Sequence, residues 1–593
     1  MSVSYRNRIS INSLLYTYDR KTETAKNVVF FLIITALTVF ALWHSQYGFP
    51  SSDEFLHLSL PYRMWQGDAL IAEEWHQTQL SAFTYYPITK FILDMNNGTE
   101  GLVMCSRIAC VLLEMAVATL IYFRLKRFSW LGATLSAAIF MLFTSSALSS
   151  IFYYSMGIMS MIIVTLLIAT TYKRQRLDYF IAGIFMASAV LNIPHAAFMY
   201  FIYGFIVLAT WFKRRSWRKE DYGTQEFLSP ELFIFFTLGI VAVTLIFIAY
   251  LATNVPLDKL LRSIEPIMID QHHDITFAFK LIVYFGCIFL YNSKIVGVAM
   301  LLLFAEMVFR RKYSDTTYFS VASVMTILLE IHYFIAHDFP HANFVNFMMF
   351  APNCLALFCA LLSNDSRVHR LFTAMYIPGI VYTFFFNLSS NQGFAALSAS
   401  ISVSTVASIV IIVLYSQEIF NHTYNSKIRN ICLATVCCMF IFQLSAQTYV
   451  RCNCLYGVSS MEKQNIRIED GIAKGVITSE NGAAAYERYK YMIKTTEENY
   501  TYDKVLTTTI RSWMCMMYDC EISNYSSYIN YVDKEFMDKQ AVYFEINPEK
   551  MPDVVYVQKG NEDFSSWFLS EYNGYSKDEY DFGHILYKNG CKK

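Results

Sequence analysis

The feature that most constrains this chain is a series of long apolar runs that recurs from Asn27 to Val450. Each run has roughly 18–22 residues, which is enough for an α-helix to cross the hydrocarbon core of a bilayer. Hydrophobic residues make up 55% of the 593 residues and charged residues only 16%, and a soluble surface cannot expose so much apolar area. The sequence therefore predicts a mainly α-helical protein that crosses a membrane many times.

The hydropathy pattern predicts about thirteen membrane-spanning helices. Their expected boundaries are residues 27–45, 101–123, 129–147, 155–172, 179–194, 197–212, 231–252, 281–309, 317–336, 343–363, 371–388, 397–417 and 431–448. The first 26 residues are polar and basic, and the first apolar run is long enough to span, so we expect it to remain as an uncleaved anchor.

The short loops between these runs alternate in charge. One set is rich in Lys and Arg, at residues 124–127, 173–176, 213–219, 310–312, 367–370 and 427–429, whereas the alternate set is acidic or neutral. Basic loops are retained on the cytoplasmic side of a membrane. The pattern therefore predicts a multi-pass protein of the cell membrane with a cytoplasmic N-terminus and an extracytoplasmic C-terminus.

Two domains are expected. Residues 1–450 form the transmembrane module, whose first outer loop covers residues 46–100. From about Arg451 the chain becomes polar, charged and rich in Tyr, with short strand patterns such as Val554–Gln558. Residues 451–593 are therefore predicted to form a small extracytoplasmic α/β domain.

Several classes of function are disfavoured. The longest basic loop, about residues 213–230, is too short for a globular nucleotide-binding domain. The chain has no GxxxxGK[ST] motif and no GxGxxG after a strand, so ATP-driven transport and a Rossmann cofactor are not expected. The formal net charge is zero, which gives no electrostatic case for binding nucleic acid.

The first outer loop is expected to be structured. Phe55, Leu58, Tyr62 and Trp65 recur at helical spacing, and Pro61 should kink or split that helix. Residues 80–92 are weakly amphipathic, and a turn at residues 67–68 separates the two patterns. We expect short helices along the membrane interface, with aromatic side chains at headgroup depth.

Adjacent carboxylates at Asp53 and Glu54 follow directly after the first apolar run. A carboxylate at the boundary of lipid and water can be partly desolvated, which raises its pKa and suits it to act as a general base on a hydroxyl. The alternative is a solvated helix N-terminus, with Ser51 or Ser52 as the cap and the two carboxylates complementing the helix dipole.

The acidic pair just after the first span, the interfacial helices, the many further spans and the outer C-terminal domain together resemble the GT-C glycosyltransferases of membranes. Among these, the chain is similar to the protein mannosyltransferase and aminoarabinose transferase type, and residues 48–100 look like loops of uncharacterised bacterial members. The resemblance implies a sugar donor linked to polyprenyl phosphate and inversion at the anomeric carbon. It further implies that Asp53 removes the acceptor proton and that Glu54 orients Asp53 or the acceptor.

A second polar cluster follows in the same loop. Glu74, His76 and Gln79 are candidates for binding sugar hydroxyls, with Trp75 stacking on a ring face. The alternative is an interfacial turn with an aromatic anchor.

A leaving lipid phosphate needs cationic partners on the outer side, where Lys and Arg are scarce. The candidates are Lys294, Arg262, Arg107 and Arg63, with Lys90 and Lys259 behind them. Arg107 instead forms a structural pair with Glu114 on the same helix face if it is not a phosphate ligand.

Histidines gather at the outer ends of the predicted spans. His195, His337, Asp338 and His341 are candidates for hydrogen bonding to donor or acceptor. A divalent metal at residues 330–341 is the alternative, but no HExxH or comparable spacing is present, so no cofactor is expected.

The sequence thus predicts an inverting glycosyltransferase of the cell envelope that moves a sugar from a polyprenyl-phosphate donor to an acceptor hydroxyl on the extracytoplasmic side. Its expected partners are that donor, a glycan or lipid acceptor, and membrane lipids. Two alternatives remain. One is an envelope polysaccharide polymerase or ligase that uses a lipid-diphosphate-linked glycan, and the other is a non-catalytic transporter.

Overall fold

The structure is a computed structural model. It describes residues 20–593 except residues 51, 144–148, 172–174, 216–225, 269–275, 287–296, 298–300, 302–304, 306–314, 337–341, 390–393, 423–425, 454, 456–459, 510–512, 519 and 530.

Helices dominate the N-terminal part. They are α1 (Arg20–His44), α2 (Ser52–Gln66), α3 (Ala82–Asn96), α4 (Leu102–Leu125), α5 (Trp130–Leu142), α6 (Tyr153–Thr170), α7 (Arg176–Asn192), α8 (Ala197–Arg215), α9 (Pro230–Asn254), α10 (Leu257–Met268), α11 (Phe277–Gly286), α12 (Asp315–Ala336), α13 (Ala342–Leu362), α14 (Ser366–Leu371), α15 (Ile377–Ser389), α16 (Phe394–Ser400), α17 (Ser402–His422) and α18 (Ser426–Asn453). A π-helical turn, Phe372–Tyr376, joins α14 to α15.

Eight stretches of the described residues are helical, long and apolar enough to cross a membrane. They are Thr22–His44, Leu102–Leu125, Tyr153–Thr170, Pro194–Phe212, Pro230–Asn254, Ser366–Ser389, Ser402–Asn421 and Arg429–Asn453. Further apolar helices, α5 and α11 among them, are shorter. The prediction of a mainly α, multi-pass membrane protein is confirmed, whereas the count of thirteen spans is not.

Glycines bring helices α7 and α9 into close contact. A Cβ atom added to Gly183 of α7 would overlap the carbonyl oxygen of Phe236 on α9, and one added to Gly239 of α9 would overlap the carbonyl oxygen of Phe180. Small residues let two backbones pack in contact inside a membrane, where burial from water supplies little driving force. The pair Gly183 and Gly239 therefore sets the contact between α7 and α9.

Replacing Gly183 with leucine is expected to separate α7 from α9 and to destabilise the protein by at least about 1–3 kcal/mol, because backbone cannot make room as a flexible side chain can. Thermal unfolding of the detergent-solubilised chain measures the effect. Leu245→Ala on the exposed side of α9 is the control, since Leu245 is 60% exposed. An unchanged unfolding temperature in Gly183→Leu would show that these helices do not depend on this contact.

The basic residues at the ends of α4 and α14 lie at one end of the helical part. Arg124, at the end of α4, forms an ion pair of 2.8 Å with Asp178 in the first turn of α7. Arg370 of α14 donates from Nε to the carbonyl oxygen of Ala169 at the end of α6, at 2.7 Å. Arg367 of α14 donates to the carbonyl oxygen of Phe128, just after α4, at 3.3 Å. Together these contacts place the ends of α4 and α6 and the starts of α7 and α14 on a single face, which we call the basic face.

The C-terminal part is a small α/β domain, as predicted. It contains β1 (Ile466–Arg467), β2 (Ile477–Thr478), α19 (Glu480–Asn499), β3 (Lys504–Thr507), α20 (Trp513–Met517), β4 (Glu521–Ile522), α21 (Lys534–Ile546), β5 (Val554–Gln558), α22 (Glu562–Glu571), β6 (Tyr575–Tyr580) and β7 (Gly583–Lys588). The five-stranded sheet has the order β4-β3-β5-β7-β6; β3 runs parallel to β4 and β5, and β7 runs antiparallel to β5 and β6. A two-stranded sheet pairs β1 with β2.

The first outer loop lies between the helical part and this domain. Helix α2 runs through Pro61 without being split, and Gly67 turns the chain after it with φ of +107°. Phe55 and Tyr62 of α2 are fully buried in one cluster with Trp513 and Ile472 of the C-terminal domain. The loop is therefore a packed layer that joins the two domains.

Candidate active site

The start of α2 is fixed by a buried ion pair. Arg107, in the second turn of α4, donates from Nε and Nη2 to the two carboxylate oxygens of Glu54, both at 2.7 Å. The same guanidinium donates to the carbonyl oxygens of Ser45, Tyr47 and Gly48, at 2.9, 3.4 and 3.1 Å. A buried charge is tolerated only when it is paired and hydrogen-bonded in this way. Glu54 and Arg107 therefore hold the link between α1 and α2 against α4.

This pairing changes the assignment of Arg107. Its guanidinium is engaged by a carboxylate and three carbonyl oxygens, an arrangement typical of a residue that positions its neighbours. The sequence suggests Glu114 as an ionic partner of Arg107. In the structure the ionic partner is Glu54. Glu114 lies instead beside the Cys110 thiol, which is 3.8 Å away.

Asp53 behaves differently from its neighbour. Its side chain is half-buried, and among the described residues it has no hydrogen bond and no ion pair. Burial raises the pKa of this carboxyl above its ordinary value. Tyr153, at the start of α6, is close enough to interact electrostatically with it. Asp53 thus combines partial desolvation with a pair of oxygens to which no described residue hydrogen-bonds.

His57 lies one helical turn after Asp53, so the two side chains share a face of α2. The imidazole is buried, stacked at a tilt against Tyr153 with ring centres 4.8 Å apart, and its Nδ1 has no hydrogen-bond partner in the described part of the chain. Burial, with a smaller contribution from His76, lowers the pKa of His57 well below its ordinary value. A neutral histidine that can accept or donate a hydrogen bond therefore stands beside the unpaired carboxylate.

The second acidic cluster lies against the C-terminal domain. Arg63 pairs with Asp68 at 2.5 Å and with Glu74 at 2.9 Å, and it donates to the carbonyl oxygen of Asn524 at 2.8 Å. Glu74 also accepts from the hydroxyl of Ser527 at 2.6 Å. These groups are buried between the outer loop and the C-terminal domain.

Two further contacts complete this interface. Lys550 of the C-terminal domain forms an ion pair with Asp68. The Trp75 side chain is 4% exposed and packs edge-on against Tyr543, with ring centres 5.1 Å apart. Glu74, Trp75 and Arg63, predicted as a sugar ligand, a stacking platform and a phosphate ligand, are thus all engaged in contacts of the domain interface.

His76 and Gln79 lie at the edge of this layer. The Nδ1 of His76 is 2.8 Å from the hydroxyl oxygen of Thr78. The side-chain oxygen of Gln79 accepts from the backbone N–H of Ile71 at 2.5 Å, where the backbone adopts a φ of +73° that a branched residue rarely holds. Gln79 therefore supports a strained turn, while the half-buried imidazole of His76 interacts electrostatically with that of His57.

His195 lies in a 3₁₀ turn, Pro194–Ala196, that joins α7 to α8. The turn meets the outer loop through Asn192, whose amide donates to the Thr84 hydroxyl at 3.2 Å. His195 is half-buried, and its Nδ1 has no partner among the described residues. The structure thus places it on the same side of the helical part as Asp53.

The remaining basic candidates fall into two groups. Lys90 pairs with Asp94 and Lys259 pairs with Glu549. Arg262, exposed on α10, forms no ion pair with a described residue. Lys294, His337, Asp338 and His341 lie outside the described residues.

Within the described part of the chain no group of three or more metal-binding side chains is found.

One basic residue near the site, Lys280, was not predicted from the sequence. Lys280 on α11 is close enough to His195 for their charges to interact, and it forms no ion pair with a described residue. The signal was a single lysine within the apolar stretch Phe277–Gly286, because a charge at membrane depth is costly and is retained for a function.

No protein-family model and no curated protein matches this chain. Among solved structures, the chain is similar to ArnT from Cupriavidus metallidurans bound to undecaprenyl phosphate, at 10% identity and a TM-score of 0.44, over 95% of this chain and 98% of that one. It is similar to the apo oligosaccharyltransferase of Archaeoglobus fulgidus, at 12% identity and a TM-score of 0.45, over 85% of this chain and 65% of that one. It is also similar to the archaeal oligosaccharyltransferase AglB from Archaeoglobus fulgidus in complex with an inhibitory peptide and a dolichol-phosphate, at 11% identity and a TM-score of 0.41, over 97% of this chain and 75% of that one.

Proposed function

We propose that this chain is an inverting glycosyltransferase of the GT-C type that moves a sugar from a polyprenyl-phosphate donor to an acceptor hydroxyl. The observation that carries the proposal is the contrast between two adjacent carboxylates. Glu54 is locked by Arg107, whereas Asp53 is half-buried, has no ion pair among the described residues and has a raised pKa. The resemblance of residues 48–100 to GT-C loops supports the same assignment.

In this mechanism Asp53 takes the proton of the acceptor hydroxyl while the hydroxyl oxygen attacks the anomeric carbon. The bond between that carbon and the donor oxygen breaks at the same time, and its electron pair leaves with the lipid phosphate. Attack on the face opposite the leaving group inverts the anomeric configuration. A base with a raised pKa accepts a proton more readily than an exposed carboxylate does.

The leaving phosphate carries negative charge that cations must stabilise. Arg262 and Lys280 are the best candidates among the described residues, because Arg63, Lys90, Arg107 and Lys259 are all paired with carboxylates. Lys294 remains a candidate from the sequence.

The sugar and the acceptor need polar groups near Asp53. His57, His76 and His195 supply them on the described part of the chain, with His57 and His195 each leaving Nδ1 without a partner there. His337, Asp338 and His341 stay predictions for the same role. A divalent metal is an alternative that this mechanism does not favour, because Asp53 supplies the base and protein cations stabilise the leaving phosphate.

The reaction is assigned to the extracytoplasmic side. The first outer loop and the C-terminal domain lie opposite the basic face, and basic loops are retained in the cytoplasm. Residues 1–450 then form the catalytic module, and residues 451–593 form the domain that covers the outer loop.

The pH dependence of transfer should report the carboxyl of Asp53. Because burial raises its pKa, the base is protonated at pH values where an exposed aspartate is already ionised. The rate is therefore expected to rise with pH through a value above the ordinary aspartate pKa and then to level off. Initial rates between pH 4 and pH 8 test this, and a rate that is flat down to pH 4 would contradict it.

Donor choice distinguishes the proposal from its alternatives. Membranes containing the chain are incubated with synthetic undecaprenyl-monophosphate and undecaprenyl-diphosphate hexoses and pentoses, with an envelope lipid extract as acceptor. We expect transfer from monophosphate donors only, with an inverted product. Transfer from diphosphate donors alone would favour a polymerase or ligase. Movement of a sugar across proteoliposomes without cleavage of any donor would favour a transporter.

A further inference from the structure

A large cavity lies on the side of the helical part away from Asp53. It has a volume of about 540 Å³ and is bounded by α6, α7, α8, α9 and α15 with the π-helical turn before it. Its wall is mostly apolar, and Met161, Met199 and Val381 are typical of it. Ile202 and Ile206 line it from α8 while being 40% and 43% exposed on the outer surface of that helix. The cavity therefore borders the surface that faces lipid.

The basic side chains that line the cavity lie on the basic face. Ser366, His369 and Arg370, all on α14, line it there. Arg370 is anchored at the end of α6 by hydrogen bonds to the carbonyl oxygens of Ala169 and Thr171. The cavity is thus an apolar space whose water-facing end carries a guanidinium and an imidazole at a fixed position.

We propose that this cavity binds an acyl chain of an anionic phospholipid, with the lipid phosphate seated at Arg370 and His369. A guanidinium and an imidazole fixed at one place attract the charge of a phosphate, and basic pockets between membrane helices select anionic headgroups. The apolar wall matches the chain and gives no reason for an uncharged polar ligand to enter. This lipid belongs to the leaflet on the basic face and is separate from the sugar donor at Asp53.

The local charge supports an anion at this place. Burial, together with the nearby charges of Arg370 and Arg124, lowers the pKa of Arg127 to about 10. Asp178 faces this group too, but it is already paired with Arg124. Arg124, Arg127 and Arg370 are therefore close enough for their positive charges to interact, and a phosphate would relieve the repulsion between them.

Native mass spectrometry of the delipidated full chain tests the proposal with two probes, dioleoyl phosphatidylglycerol and dioleoyl phosphatidylcholine. We expect phosphatidylglycerol to bind at least tenfold more tightly, and Arg370→Gln to remove that preference. Val381→Trp, which fills the apolar wall far from the charges, should reduce binding of both lipids. Arg176→Gln is the control, because it removes a charge from the same face where Arg176 pairs with exposed Glu231 and lines no part of the cavity.

Arg370→Gln also removes an anchor of α6, so Arg370→Lys is measured beside it and should keep part of the preference. Equal binding of the two lipids by the wild type would overturn the proposal, as would unchanged binding in Val381→Trp. A third arm adds undecaprenyl phosphate in excess. Displacement of phosphatidylglycerol would overturn the proposal by assigning the cavity to the sugar carrier, whereas coexisting binding supports a separate site and leaves the role of Asp53 to be tested by sugar transfer.

Discussion

Replacing Asp53 with asparagine is expected to lower the rate of sugar transfer by about 10²–10⁴-fold, the usual contribution of a positioned general base. Asparagine has nearly the shape of aspartate but cannot accept the acceptor proton. Because Asp53 has no ion pair among the described residues, the substitution leaves no charge uncompensated, and folding should be unaffected. Transfer rates of purified protein with a monophosphate donor, set beside thermal unfolding, separate the two effects.

The matched control is Asp94→Asn. Asp94 is an exposed carboxylate of the same outer loop, and its ionic partner is Lys90. Its replacement should change neither the transfer rate nor the stability. If Asp53→Asn kept a rate within a few-fold of the wild type, the base would have to be another group.

Replacing Arg63 with methionine should have the largest effect on stability. The substitution leaves Asp68 and Glu74 buried against the C-terminal domain with one cation fewer, and breaking a buried pair in this way costs about 3–5 kcal/mol. Burial already raises the pKa of Glu74, so its carboxylate depends on the partners it has. We expect a lower unfolding temperature and faster proteolytic cleavage within residues 451–593.

Lys474→Ala provides the comparison for Arg63→Met. Lys474 also joins the C-terminal domain to the outer loop, through Glu100, but both side chains are about half exposed, at 52% and 55%. An exposed pair of this kind contributes roughly 0–1 kcal/mol. Equal effects of the two substitutions would mean that the buried network is not what holds the domains together.

The sequence was most informative where a local pattern decides the structure. Apolar runs of membrane length predicted helices that the structure contains, and the spacing of Phe55, Leu58 and Tyr62 predicted α2. The same pattern could not show that α2 continues through Pro61, because the packing of its buried face against Trp513 depends on a segment more than 450 residues away.

The candidate site shows the same limit. Asp53 and Glu54 are adjacent and chemically equivalent in the sequence, and what separates them is Arg107, which reaches only one of them. Glu74 resembled a sugar ligand because its partner Ser527 lies 453 residues further along the chain. Charge and spacing located the loop, whereas the division of its acidic residues between structure and chemistry required the fold.

The most direct test of the central claim is a cryo-electron microscopy structure of the chain in a lipid nanodisc with undecaprenyl phosphate, the lipid that the proposed reaction releases. The account predicts phosphate density on the side of the C-terminal domain, in a space bordered by Asp53, His57 and Tyr153, with the Asp53 carboxylate turned towards it. A phosphate bound elsewhere, with the Asp53 carboxylate held by a cation of the protein, would contradict the account.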